Sequence, residues 1–344
     1  MLEHWIKPVD EARLAGFFIP PEALGQYCRF ELNDRPDGPM VALIGADPKW
    51  AGRVRSQLYQ FAARSKQGIV CDLGDFRQLQ PEFVIPALHE VLAGGICPVI
   101  VGARPDLSLT LMHAIRQSRT TPRAVFLHEQ IPGWLMAVPE GASMQVIGAQ
   151  QHLMHTHTVA EAERLRIGSL RLGQSRNDLA MVEPLIRDAE VMGVDMSALR
   201  YSDMPAQTSH STSGFTTEEA CQMMRYAGMS PSLRGMALTG HDPMSAAHGV
   251  SANTVAQMIW YFIDGFVQRI HESPRQTEHF TRYLVHLKDY DFDLSFHKSE
   301  KSGRWWVEVP GKAGPSLHSC SYKDYQAACE DVVTERIFAC LEPS

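Results

Sequence analysis

Several protein classes are excluded by what this 344-residue chain lacks. Its seven cysteines (Cys28, Cys71, Cys97, Cys221, Cys320, Cys329 and Cys340) are scattered and odd in number. None forms a close CxxC pair, which argues against a disulfide framework and against a structural zinc knuckle. Cys320, Cys329 and Cys340 read as helix-borne core thiols. No apolar run approaches the roughly 20 residues that cross a bilayer. The opening MLEHWIKPVDEARL lacks the basic segment and apolar core of a signal peptide, so the expectation is a cytoplasmic protein with no membrane partner. Basic residues are in deficit, with 32 Lys and Arg against 39 Asp and Glu and a net charge of -7. A general nucleic-acid binder would need the opposite balance. No GxGxxG or GxxxxGK follows Gly45, so neither nucleotide loop is read there.

What the chain does have is ordinary globular material, 44% hydrophobic and 21% charged. Residues 1–39 are irregular and proline-rich, with aromatic anchors at Trp5, Phe17, Phe18, Tyr27 and Phe30, and read as an extension packed on the core. From Met40 the apolar segments alternate in kind. MVALIGADP, GIVCDLGD, ICPVIVGA, RAVFLHEQ, SMQVIGAQQH and LRGMALTGHDP read as buried strands. Between them lie helical patterns at 53–64, 81–95, 108–118, 159–167, 216–229 and 253–270, the last apolar beyond one stripe. TTEE at 216–219 reads as a capped helix start. This alternation implies a mostly parallel α/β sheet with helices on both faces, spanning 40–270. From 271 to 344 the pattern changes to alternating strands and a closing helix, an α+β elaboration that would pair with a sheet edge or meet a partner. Adjacent Trp305 and Trp306 face opposite ways on a strand, which predicts that one is core.

The stretch from Val191 to Pro205 carries the chemistry. A short apolar run ends at Asp195, where a parallel strand would deliver side chains to the rim of the sheet. Ser197, two residues on, shares its side. A carboxylate there suits a metal; a hydroxyl is a much poorer ligand.

The order of segments over 40–270 resembles the arginase, agmatinase and formimidoylglutamase family, the ureohydrolases. SANTVAQMIWYFIDGF is similar to the family's closing helix, TSGFTTEEACQMMR to its glycine-rich loop and helix, and GASMQVIGAQQ to a strand before an inner loop. The resemblance implies a three-layer α/β fold, self-association into trimers or hexamers, and a pair of manganese ions activating water for attack on a guanidino or formimino carbon. It also implies ligands that this chain lacks. Matching GGDHS to GGICP puts Ile96 and Cys97 at the acid and histidine. Matching DAHxD to FLHEQ puts Phe126 and Gln130 at acidic positions and keeps His128. Matching SxDxDxxDP to GVDMSALRYSDMP keeps Asp195 and replaces its partner by Ser197. Gly240 stands where a glutamate would precede the late proline turn. Only His128 and Asp195 survive of six ligands, so no cofactor is expected and the reading is a non-catalytic binding, scaffold or regulatory protein.

Two enzyme readings stand beside it. A rebuilt manganese centre would draw on His128, Asp195, His241 and Asp242, with or without Glu129, to hydrolyse a non-peptide C–N bond. A metal-free enzyme would pair Cys97 with His128. Against both stands the blander assignment of a core thiol, a packed imidazole and an aspartate accepting backbone hydrogen bonds. His152, His155 and His157 in HLMHTH read as a polar rim segment, and with Ser209, His210 and Ser211 as walls of any surviving pocket. Met223, Met224, Met229, Met236, Met244 and Met258 read as core.

Overall fold

The computed structural model describes residues 2–9, 19–32, 38–66, 68–116, 122–137, 142–275, 278–311 and 314–341, so the expected anchors Phe17 and Phe18 lie outside it. Nine strands form the main sheet: β1 (Ile6–Lys7), β2 (Met40–Gly45), β3 (Val70–Phe76), β4 (Ile96–Ala103), β5 (Arg123–Leu127), β6 (Ser143–Ala149), β7 (Gly168–Arg171), β8 (Val191–Asp195) and β9 (Gly235–Thr239). Their order is β1-β3-β2-β4-β9-β8-β5-β6-β7, and every pairing is parallel except that of β1 with β3. Strand β1 is invisible as a pattern because two residues carry no periodicity.

Alternation along each strand sorts the side chains into two apolar layers. Val41, Val99, Val125, Met192 and Leu238 face α1 (Pro48–Leu58), α6 (Glu183–Asp188), α7 (Thr217–Met229) and α8 (His248–Val267). Ala42, Ile100, Phe126, Val191 and Ala237 face α2 (Pro81–Ala93), α3 (Asp106–Arg116) and α4 (Thr156–Arg164). The result is three layers. A short helix α5 (Leu172–Asn177) follows β7. Thr216 and Glu219 cap α7 reciprocally: Thr216 Oγ1 accepts the Glu219 N–H at 3.2 Å and the Glu219 carboxylate accepts the Thr216 N–H at 2.8 Å. Met223, Met224, Met236 and Met258 are core as expected, whereas Met244 is 88% exposed on a turn, a correction to the core reading.

The C-terminal elaboration does not extend an edge of this sheet. It builds its own, in the antiparallel order β10 (Phe280–Leu287), β11 (Phe292–Ser299), β12 (Trp305–Val309), β13 (Ser316–Cys320). Two helices, α9 (Tyr322–Cys329) and α10 (Glu335–Leu341), replace the single closing helix; Asp331 between them turns at φ 64°. Leu287, Leu294, Phe296, Val307 and Ile337 give this module a separate core. The tryptophans do face opposite ways, but both are largely buried. Trp305 stacks on Tyr325 at 4.9 Å under α9, and Trp306 lies 4.4 Å from the Arg187 guanidinium of α6.

That arginine is the centre of the contact between module and core. Arg187 is 2% exposed and donates through Nη2 to the carbonyls of Trp305 (2.8 Å) and Cys320 (3.1 Å). Around it Arg304 pairs with Glu183 at 3.1 Å, and Lys323 pairs with Asp178 at 2.6 Å.

Candidate functional site

Open parallel sheets place their ligands beyond the carboxyl ends of the strands. Here that rim is made by the residues after β2, β4, β5, β8 and β9. Asp195, the last residue of β8, lies 6% exposed at its centre. Its Oδ1 accepts the Ser197 N–H at 3.0 Å, capping a turn at Met196–Ala198, and its Oδ2 accepts the Thr239 hydroxyl at 2.7 Å. The neighbouring Gly240 has φ +80°, and a Cβ there would lie 2.6 Å from the Asp195 Cγ. The carboxylate therefore fills the space that a side chain at 240 would need. Ser197 Oγ is buried without a protein partner.

His128 follows β5 and is 8% exposed. Its Nδ1 accepts the Gln130 N–H at 3.2 Å, which leaves the proton of the neutral ring on Nε2. Burial pushes its pKa down, against an opposing pull from Asp195. Glu129 is 6% exposed, and burial raises its carboxyl pKa; the neighbouring Ser211 and Ser209 oppose that rise, and the Asp195 charge adds to it. Ser209 Oγ and Ser211 N in turn donate to Gln207 Oε1 at 2.7 and 3.0 Å. Of the expected walls, Ser209 and Ser211 thus join Glu129, and His152 is near enough to stabilise its charge. His155 and His157 are exposed at the start of α4, and His210 is exposed and stacks on Tyr201 at 5.4 Å.

A second polar set on the same rim joins His241, expected at a rebuilt metal centre, to two residues not expected there, Asp47 and Trp50. His241 turns toward β2, where its Nε2 donates to Asp47 Oδ2 at 3.1 Å, and its ring stacks on Trp50 at 5.0 Å with the planes 8° apart. Asp47 also caps α1 through Lys49 N (2.9 Å) and Trp50 N (3.1 Å). Burial opposes its ionisation, but the Trp50 N–H and His241 together hold its pKa below the usual carboxylate range. The signal was present: an aspartate directly before a proline at the first helical position is an N-cap signature. Gly102, at φ +76° near the carboxyl end of β4, leaves the room in which Trp50 and Asp47 sit. Asp242 takes no part, since its Oδ1 caps Met244 N at 2.9 Å.

Two expected sites are corrected. Gly94 and Gly95 precede β4, so Ile96 and Cys97 lie at the amino end of the sheet, opposite the rim. The carboxyl end of β4 runs instead into GARPD, where Arg104 and Asp106 form an exposed pair at 2.8 Å; Arg104 and Pro105 then replace acid and histidine. Nor are β4 and β5 neighbours: β9 and β8 lie between them. Counting registers, Cys97 and His128 stand roughly 20 Å apart, from about 3.3 Å per residue and 4.8 Å per strand. Burial pushes the Cys97 thiol up to about 12, with Arg269 pulling the other way, so a Cys97–His128 pair does not form. Phe126, at a ligand position, is core and packs edge-on to Trp134 at 5.3 Å.

Among the described residues no group of three or more His, Cys, Asp and Glu is placed to hold a metal ion. A manganese pair requires several hard anionic ligands sharing one cavity. Asp195 has both oxygens engaged, Phe126 and Gly240 offer no ligand atom, and His241 faces Asp47. These residues do not fit the group.

The layers, strand order and rim define the arginase-like three-layer α/β fold. Three solved structures illustrate it. Formimidoylglutamase from Bacillus subtilis superposes with a TM-score of 0.63 at 15% identity, over 74% of this chain and 96% of that one. Formiminoglutamase from Trypanosoma cruzi, solved with manganese, gives 0.62 at 17% identity, over 70% and 97%. Arginase from Bacillus subtilis gives 0.53 at 10%, over 65% and 98%. No protein-family model and no curated protein matches the sequence.

Proposed function

We propose that this protein is a ureohydrolase descendant that no longer hydrolyses C–N bonds and acts as a binding, scaffold or regulatory protein. The observation that carries the reading is the Asp195 carboxylate, spent on Thr239 and Ser197 and lodged where a side chain at 240 would stand. A surviving ligand position whose two oxygens already accept hydrogen bonds, and which no group of further ligands joins among the described residues, is a weak draw for a divalent cation. The C-terminal module, with its own core, is the surface we assign to a protein partner, and self-association through the main domain accompanies it.

Protein purified without chelator is expected to contain no stoichiometric manganese by elemental mass spectrometry and to give no heat on manganese titration. It is expected to leave formimino and guanidino substrates intact. Tightly bound manganese near one or two equivalents, or manganese-dependent hydrolysis, would overturn the proposal.

A further inference from the structure

A cleft of about 500 Å3 opens on the α1/α8 side, lined by the amino-terminal half of α8, the end of α1, the turn at 202–203 and Thr217. Asn253 and Gln257 lie one turn apart on α8 and so share a face. Gln57 of α1 meets them. Asn253 Nδ2 donates to Gln57 Oε1 at 3.0 Å, and Gln257 Nε2 donates to Asn253 Oδ1 at 2.7 Å. The direction of this ladder fixes what remains for a ligand. At one end Gln57 Nε2 keeps its N–H donors; at the other Gln257 Oε1 keeps its lone pairs.

The charge of the cleft is already satisfied. Asp203 accepts from Arg200 Nε at 2.6 Å, from Ser202 Oγ at 2.9 Å and from Thr217 N at 2.8 Å. No uncompensated cation or anion faces the space among its lining residues, so phosphates, carboxylates and ammonium ions find no counter-charge. The amides and hydroxyls make it a poor host for an apolar ligand, because filling it with hydrocarbon would strand polar groups. Val250, 59% exposed at one side, offers a small apolar platform.

A donor end and an acceptor end on one ladder select a ligand whose groups both give and take hydrogen bonds. Hydroxyls do this, and a ring bearing adjacent hydroxyls can reach both ends while its C–H face rests on Val250. We propose that this cleft binds a neutral saccharide or polyol. Asp195 is not among the lining residues, and the proposal stands whether or not the rim is catalytic.

Saturation-transfer NMR with glucose, maltose, N-acetylglucosamine and myo-inositol tests it on the full chain. At least one probe is expected to receive saturation from the protein, and Gln257→Leu to weaken its binding about tenfold, the weight of one or two neutral hydrogen bonds. Gln57→Glu, which keeps the ladder acceptor and removes the free donor, is expected to weaken it similarly with an unchanged melting temperature. Silence from all four probes, or binding unaltered in both variants, would overturn the assignment.

Discussion

Two aspartates at strand positions on the main sheet are both buried, yet they are satisfied in different currencies. Asp72 on β3 is fully buried and accepts from Arg55 Nε at 2.7 Å, Arg55 Nη2 at 3.0 Å, Gly74 N at 3.0 Å and the Tyr59 hydroxyl. Asp195 on β8 accepts only neutral donors, a backbone N–H and a threonine hydroxyl. A guanidinium makes the first a closed ion pair. The second keeps a carboxylate at a ligand rim with no cation bonded to it. That difference separates an aspartate built for stability from one inherited with the site.

The comparison can be broken most strongly at Asp72. Arg55→Met should cost about 3–5 kcal/mol in urea unfolding, because it strands a buried carboxylate. Arg187→Met comes next, at about 2–4 kcal/mol, since it orphans two carbonyls and removes the cation under Trp306. Hydrogen exchange should then rise across 280–341 ahead of the main sheet; uniform protection would contradict the docking role. Gly240→Ala should cost about 1–3 kcal/mol, from a left-handed φ and the collision with Asp195. Asp195→Asn should cost only about 1–2 kcal/mol, because one acceptor oxygen remains for its neutral donors.

Glu129 sharpens the contrast through pH. Its folded-state pKa is raised, so the ionised form costs stability above the unfolded value near 4.5. Glu129→Gln should therefore gain on the wild type as pH rises from 4.5 to 8 in chemical denaturation. His128, with a lowered pKa, works in the other direction and loses stability as pH falls through about 6.5. A Glu129→Gln advantage that is constant with pH would remove the burial argument.

The layers were legible because apolar runs such as ICPVIVG and MALT are buried and admit one reading between glycines. The rim was legible in part. Asp195 was placed from its strand ending, and its acceptor role from the chemistry of a strand terminus. Cys97 was misplaced because GG before an apolar strand and GG after one look alike locally, and only the direction of the strand separates them. His241 meeting Asp47 depends on contacts across 194 residues, which no local pattern encodes. The C-terminal sheet was read as strands, but whether it joined an existing edge is a tertiary choice that alternation leaves open.

The strand order also dictates a sequence of events on the ribosome. Of the main sheet, the first strands synthesised form two separate runs, β1-β3-β2-β4 and β5-β6-β7, and its last two, β8 and β9, bridge them among the described residues. Until residues 191–239 emerge, β4 and β5 each present an open apolar edge, the kind of surface that invites mispairing. A nascent chain halted before β8 should thus be the species that chaperones hold, and the keystone pair carries Asp195 at its tip.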